Sequence, residues 1–219
     1  EATQEIVLLH GIGVISMEGG ANVYKPFELL TKSDLAFWAG SFHGLGGEDA
    51  SVSSIREAAL REGLIDTLEG LATYADVNQA YFAGKVESEE QEDETLTREE
   101  FALYMATFFT TEIDGMTLFD MAEYTEGPTG IVTDVEKFEV TEGGNTFDVF
   151  RIHIDGEWVQ VSNHPKILNG PVDLSLWKDK AVVASWYAKA ELGNEPRLEI
   201  IQVGEAEFTE DEISAVVDP

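Results

Sequence analysis

The side chains that could do chemistry in this sequence are its four histidines and its many carboxylates, because the 219-residue chain contains no cysteine. Without cysteine, thiolate catalysis, disulfide bonds and zinc sites with Cys ligands are excluded. The histidines, which are His10, His43, His153 and His164, are never three or four residues apart. A metal site would need His153 and His164 to converge with distant carboxylates. We predict no metal site.

The motifs of nucleophilic and nucleotide chemistry are missing from the sequence. Residues 40–44 (Gly-Ser-Phe-His-Gly) lack the Gly-x-Ser-x-Gly spacing of a nucleophile elbow. Residues 11–13 (Gly-Ile-Gly) are too short for a dinucleotide fingerprint, and neither a phosphate-binding loop nor an EF-hand loop is present. The adjacent Glu99 and Glu100 are better explained by the first turn of a helix, where negative charge meets the helix dipole. We therefore predict that the protein is not an enzyme.

The charge of the chain limits its partners. There are 43 acidic and 13 basic residues, which give a net charge of −30 and a pI near 4.1. Such a surface repels nucleic acid and anionic lipid, and it favours cations, basic partners or solubility in salt. We predict no nucleic-acid partner and no cofactor. Calcium is the one ion that the acidic surface could bind.

Two further features concern the location of the chain. No apolar run approaches the roughly 20 residues that span a bilayer, so no membrane span is predicted. The sequence begins at Glu1 rather than at methionine, which fits removal of a leader from an exported protein, although a trimmed chain would look the same. We expect an extracellular or cell-surface location.

The front part of the chain, residues 1–115, has the pattern of amphipathic helices. Thr31 with Asp34 and Thr97 with Glu100 have the spacing of a capping box, in which the two side chains satisfy amides at a helix start. After each threonine, apolar residues fall on one helical face. These residues are Leu35, Trp38, Ala39 and Phe42 in one helix and Phe101, Met105, Phe108 and Phe109 in the other.

An internal repeat links the two capped helices. Residues 13–15 (Gly-Val-Ile) precede 30–36 (Leu-Thr-Lys-Ser-Asp-Leu-Ala), and 63–65 (Gly-Leu-Ile) precede 96–102 (Leu-Thr-Arg-Glu-Glu-Phe-Ala). The pattern resembles the S-layer homology (SLH) repeat, which reads as helix, Gly-aliphatic-Ile, a loop with an aromatic residue and proline, and Thr-Arg-Ala-Glu opening a second helix. Tyr24 and Pro26 match that loop in the first copy. We expect two SLH-like copies.

The second copy departs from the family pattern in length. It carries about 16 extra residues, and the run 87–94, with six acids in eight positions, is expected to form much of this excess as a solvated loop. Residues 74–77 (Tyr-Ala-Asp-Val) look like the opening of a further, degenerate copy.

The resemblance also implies candidate binding residues. SLH anchors typically use three copies and often bind an anionic cell-wall polysaccharide. Lys32 and Arg98 match the basic position of the motif and, with Thr31, Thr97 and Glu100, are the candidates for binding a polysaccharide or a partner. The alternative is that Lys32 and Arg98 are exposed first-turn residues beside a helix cap.

The rear part of the chain changes to the period of two that is typical of strands. A bulge is expected where the apolar parity shifts between Val135 and Phe138, and a long connection is expected over 162–179. Five strands separated in this way resemble an OB-fold barrel, and residues 176–182 resemble its lead-in to the fourth strand; an SH3-like barrel is the alternative. The predicted strands are 130–140, 147–154, 158–161, 181–187 and 197–203.

These observations predict an α+β protein of two domains. The helical domain covers 1–115, a linker 116–128, the five-strand OB-like barrel 129–206 and an acidic tail 207–219. Three aromatic residues of the barrel are candidates for an interface, namely Trp158, Trp177 and Trp186.

The function expected from the sequence is that of a non-enzymatic structural protein of the cell envelope. It would be wall-attached or a subunit of an S-layer or filament, and its partner would be a cell-wall polysaccharide or further copies of itself. The alternative is a soluble module that binds a divalent metal ion or a carbohydrate near Trp158, Trp177 and His164.

Overall fold

The protein has the α+β class, and its described residues form six α-helices followed by a mixed sheet of seven strands in the C-terminal half. The computed structural model describes residues 2–16, 24–47, 50–88, 92–142, 144–188 and 196–204. The chain divides into two compact units, residues 1–122 and 123–219. Among the described residues, no helix has both the length and the apolarity needed to cross a membrane. The acidic tail 207–219 lies outside the described residues.

Five of the six described helices of the first unit begin at hydroxyl side chains, whereas α1 follows Ala2 without a side-chain cap. Ser51, Thr31, Thr73, Thr97 and Thr117 each accept a hydrogen bond from the backbone N–H three residues later, which satisfies an otherwise unpaired amide. The helices are α1 (Thr3–Gly11), α2 (Lys32–Phe42), α3 (Val52–Arg61), α4 (Tyr74–Phe82), α5 (Arg98–Thr107) and α6 (Leu118–Met121).

The core of the first unit is rich in aromatic residues. Trp38 of α2 packs on Phe101 of α5, with ring centroids 5.3 Å apart, and Phe101 also contacts Tyr81 of α4. Helices α2 and α3 approach closely at Gly40, where a Cβ atom would lie only 2.7 Å from Cγ2 of Ile55. Of the residues predicted to share an apolar face, Leu35, Trp38, Phe101 and Met105 are buried. Phe108 and Phe109 lie beyond the end of α5 at Thr107, so the predicted helix was too long.

The second unit contains the sheet, whose core surrounds one tryptophan. Trp177 is fully buried, and its Nε1 donates a hydrogen bond to the carbonyl of Pro171 at 2.8 Å. Aliphatic residues such as Ile152, Val161 and Leu198 fill the same cluster. The strands are β1 (Thr125–Glu126), β2 (Gly130–Ile131), β3 (Asp134–Glu142), β4 (Asn145–Ile154), β5 (Glu157–Leu168), β6 (Ala181–Tyr187) and β7 (Leu198–Gly204).

The sheet returns on itself through the β2–β3 segment. The order runs β1-β6-β7-β5-β4-β3, and β2 also pairs with β6. Between β2 and β3, the N–H of Val132 donates to the carbonyl of Lys180, next to β6. The N–H of Thr133 donates to the carbonyl of His153 in β4. Strands β5 and β7 are parallel, and every other described pair is antiparallel.

The structure corrects several details of the strand prediction. The described part of the second unit contains seven strands rather than five. The predicted strand 130–140 is interrupted at 132–133, where the chain changes partners, and β1 is an additional strand. The predicted bulge between Val135 and Phe138 is wrong, since β3 and β4 pair there without a register shift. The apolar parity changes because Val135 packs against the core while Phe138 is 39% exposed on the opposite face.

Two segments predicted as connections carry regular structure. Strand β5 continues to Leu168 because Lys166, Ile167 and Leu168 pair with β7, so the predicted connection 162–179 is shorter than expected. The predicted linker 116–128 contains α6, where Leu118 and Phe119 are buried, and β1, which pairs with β6.

Candidate functional site

Three short extended segments meet in the first unit, each directly before a capped helix. The segments are 29–31, 71–73 and 95–97, and together they are called the capped ring. Each segment bridges with its first residue to the capping threonine of another segment, so that the pairing is cyclic. The antiparallel bridges join Leu29 to Thr97, Leu71 to Thr31 and Thr95 to Thr73.

Backbone hydrogen bonds repeat around the capped ring in the same way. In each segment the first helical residue donates its N–H to the carbonyl that precedes a neighbouring segment. These bonds are Lys32 to Gly70 at 3.1 Å, Tyr74 to Glu94 at 3.2 Å and Arg98 to Glu28 at 3.0 Å. The middle residues Leu30, Ala72 and Leu96 are fully buried. The three helix starts therefore occupy equivalent positions.

The capping interactions differ in one respect among the three segments. Thr73 with Asp76, and Thr97 with Glu100, form reciprocal capping boxes. Thr31 accepts only from the N–H of Asp34, at 3.1 Å, while the Asp34 carboxylate turns to other partners. The box predicted at Thr97 is confirmed, and the one predicted at Thr31 is half formed.

The structure places three such segments together where two copies were predicted. The segment 71–73 leads into Tyr74, so the residues that resembled a degenerate copy occupy the third position of the ring. Helix α4 lies inside the stretch that was counted as extra length of the second copy. That excess is therefore partly a helix, and of the acidic run 87–94 the residues 89–91 lie outside the described part.

Lys32 is held by two carboxylates. Its Nζ lies 3.0 Å from Oδ1 of Asp76 and 2.7 Å from Oδ1 of Asp66, and only 15% of its side chain is exposed. Burial lowers the pKa of Lys32, but the hydrogen bonds and charges of Asp66 and Asp76 raise that pKa by more, so it lies above its ordinary value. Lys32 therefore connects the starts of α2 and α4.

Arg98 connects the starts of α5 and α2. Its Nη2 lies 2.9 Å from Oδ2 of Asp34, and its Nη1 donates to the carbonyl of Tyr24 at 2.9 Å. The guanidinium lies 5.7 Å from the ring centroid of Trp38, on which Tyr24 also stacks. Burial raises the pKa of Tyr24 well above its ordinary range, although the charge of Arg98 opposes this.

These contacts change the interpretation of both basic residues. Neither is the exposed first-turn residue of the alternative prediction, because the side chain of Lys32 is 15% exposed and that of Arg98 is 17% exposed. Both charges are neutralised by carboxylates of a neighbouring segment. In this arrangement the positive charges of Lys32 and Arg98 pair with Asp76 and Asp34, and their predicted role in binding a polysaccharide or a partner stays a prediction.

Among the residues that the structure describes, the third equivalent position has no such ion pair. There the first helical residue is Tyr74, and the carboxylate is that of Glu100. Both line a groove of about 650 Å³. Among the described residues, no lysine or arginine forms an ion pair with Glu100. The remaining lining residues are Glu87, Ser88, Glu94, Leu103, Tyr104, Thr107 and Phe108.

Only one of the three candidate tryptophans of the second unit is exposed. Trp158 is 39% exposed and lies between Arg151, whose guanidinium is 4.7 Å from its ring centroid, and His153, at 5.2 Å. Trp177 and Trp186 are buried, so the prediction that they form an interface is wrong: their apolar rings fill the core.

A second groove, of about 500 Å³, lies in the second unit. Asp148, Phe150, His164 and Pro165 line part of it. Among the residues that the structure describes, no group of three or more histidine, aspartate or glutamate side chains is placed to hold a metal ion. The groove therefore offers His164 as a polar contact without a set of metal ligands.

Comparison of the chain with protein-family models, with curated proteins and with solved structures gave no match.

Proposed function

We propose that the protein is a non-enzymatic structural protein of the cell envelope, in which an SLH-like unit is followed by an OB-type barrel. The observation that carries the proposal is the cyclic pairing of three capped segments, 29–31, 71–73 and 95–97. Resemblance to SLH anchors implies three copies, and three equivalent helix starts fit that number.

The sheet of the second unit supports the OB-type assignment. If the interrupted segment β2–β3 is counted as one strand, it pairs with β4 on one side and with β6 on the other. The parallel pair β5–β7 joins the two ends of that path. A strand that turns from one neighbour to the other in this way closes a small barrel.

The charge of the chain determines which partners fit the proposal. A net charge of −30 disfavours an anionic polymer unless positive charge is available at the contact. Lys32 and Arg98 would have to release Asp76 and Asp34 to supply that charge. We therefore favour a role in assembly or protein contact at the cell surface, with direct attachment to wall polysaccharide as the second form of the same function.

Two measurements test the proposal: binding of the chain to cell walls and self-assembly of the chain in solution. Purified chain is mixed with walls that retain their polysaccharide and with walls stripped of it, and the pelleted fraction is measured. Light scattering of the chain alone is followed over a series of millimolar calcium concentrations. We expect either pelleting that depends on the polysaccharide or particles larger than a monomer.

A matched variant assigns the activity to one unit. Trp158→Ala removes the exposed aromatic residue of the second unit and leaves the capped ring unchanged. Pelleting that depends on the capped ring should persist in this variant. A chain that stays monomeric at every calcium concentration and never pellets with walls would contradict the proposed function.

A further inference from the structure

The capped ring repeats one ion pair at two of its three positions. A cation on the first residue of one helix reaches the carboxylate on the third residue of the next. In the first case Nη2 of Arg98 lies 2.9 Å from Oδ2 of Asp34, and in the second Nζ of Lys32 lies 3.0 Å from Oδ1 of Asp76. The same chemistry would place a cation beside Glu100, but the equivalent residue there is Tyr74.

The groove at this third position has the lining that a cation with an apolar stem requires. Glu87, Glu94 and Glu100 are exposed along it, and none of the described residues that line it is basic. The rest of its wall is partly apolar: Tyr74 and Tyr104 are in edge-to-face contact at 5.1 Å, and Leu103 is 45% exposed. Aromatic faces and carboxylates together stabilise an ammonium or guanidinium group, and exposed apolar surface packs against its methylene stem.

We propose that this groove binds a lysine- or arginine-bearing segment of a partner protein. The partner's cation lies beside Glu100, in the place that Lys32 and Arg98 take at the other two positions of the capped ring. The volume of about 650 Å³ exceeds that of one side chain and admits a short segment.

The partner is a different protein rather than a second copy of this chain. With 43 acids and 13 bases, a second copy offers few basic residues to this acidic groove, whereas a basic segment of another protein is attracted by its charge. The inference rests on the proposed function, because it names one class of partner for an interaction protein of the cell surface.

The first experiment measures binding of a blocked hexapeptide with two lysines by calorimetry at low salt, with the full chain. The same peptide with both lysines acetylated is the control ligand. We expect binding of the lysine peptide only. Equal binding of the acetylated peptide, or no binding of either, would overturn the proposal.

Matched variants separate the groove from the general acidity of the surface. The triple variant Glu87→Gln, Glu94→Gln, Glu100→Gln removes three charges from the groove, and glutamine at position 100 keeps an acceptor for the capping box. Glu57→Gln, Glu62→Gln, Glu69→Gln removes three exposed charges elsewhere in the same unit. We expect the groove variant to weaken binding about tenfold and the control to weaken it less than about threefold. Equal weakening by both would overturn the proposal.

A substitution that adds a cation at the third position tests whether the three positions of the capped ring are equivalent. Tyr74→Lys places the chain's own cation at the third position, so we expect loss of peptide binding with unchanged helical circular dichroism. Binding at the wild-type affinity in a folded Tyr74→Lys variant would contradict the equivalence. If that variant does not fold, the comparison of the two triple glutamine variants tests the proposal instead.

The inference and the proposed function can fail separately. If the wild-type chain binds walls or assembles but does not bind the lysine peptide, this inference is rejected and the proposed function is not.

Discussion

Arg98 is the residue on which the most contacts of the capped ring depend. Its guanidinium pairs with Asp34, donates to the carbonyl of Tyr24 and lies over the ring of Trp38. Its Nε is buried and has no hydrogen-bond partner among the described residues. The side chain is therefore held by its two terminal nitrogens and its aromatic neighbour, and its removal leaves Asp34 with Arg56, at 3.6 Å, as the remaining base.

We expect Arg98→Met to lower the free energy of unfolding by roughly 1–3 kcal/mol, because it leaves a half-buried carboxylate poorly paired. The measurement is urea unfolding followed by circular dichroism at 222 nm, which reports the helical unit. In an Asp34→Asn background the same change should cost less. Arg61→Met, at an exposed arginine, is the control. Equal losses in the Arg98 and Arg61 variants would show that the ion pair contributes nothing.

At the scale of elements, close approach of helices outweighs local propensity. Gly40 lies inside α2, where alanine would normally favour the helix by about 1 kcal/mol. A Cβ at this position would lie 2.7 Å from Cγ2 and 3.2 Å from the carbonyl oxygen of Ile55 in α3. The glycine is therefore explained by packing between α2 and α3.

Gly40→Ala should accordingly destabilise the first unit, by roughly 1–3 kcal/mol, although it improves helix propensity. Thermal and urea unfolding of the variant and of Gly40→Ala in an Ile55→Ala background would check this. Because the second change removes the crowded Cγ2 atom, the two losses should be less than additive. A Gly40→Ala protein more stable than the wild type would show that α2 and α3 can move apart.

The capped helices were predictable from the sequence because their signals are local. Thr97 and Glu100 have the box spacing and form the box. Thr73 and Asp76 have the same spacing in the sequence, and their box is also complete. The ion pair of Asp34 with Arg98 could not be predicted, since the two residues are 64 positions apart and are brought together only by the ring.

The sheet of the second unit was predictable to a similar degree. Alternation located the pairs β3–β4 and β6–β7, but the change of partner at Val132 and Thr133 depends on hydrogen bonds to Lys180 and His153, which no local pattern contains. Trp177 and Trp186 were assigned to a surface because aromatic type alone does not distinguish core from interface.

At the scale of the whole molecule, charge repulsion is the main force that solution conditions can change. A net charge of −30 on 219 residues opposes compact structure, and the range of this repulsion falls from about 10 Å at 0.1 M salt to about 3 Å at 1 M.

We expect the unfolding temperature to rise by about 5 °C or more between low salt and 1 M NaCl, because screening removes repulsion in the folded state. Scanning calorimetry over a salt series would measure the shift. Calcium chloride at matched ionic strength is the control, and a larger rise with calcium would indicate a specific ion site. A falling unfolding temperature would show that the ion pairs of the capped ring matter more than the repulsion.

The cyclic pairing of the capped ring has a consequence for synthesis on the ribosome. The N–H of Leu30 donates to the carbonyl of Leu96, and the N–H of Ala72 donates to Leu30. A nascent chain that has released only the first two segments still lacks the acceptor for Leu30. The cyclic pairing can therefore be completed only after residue 96 has left the exit tunnel.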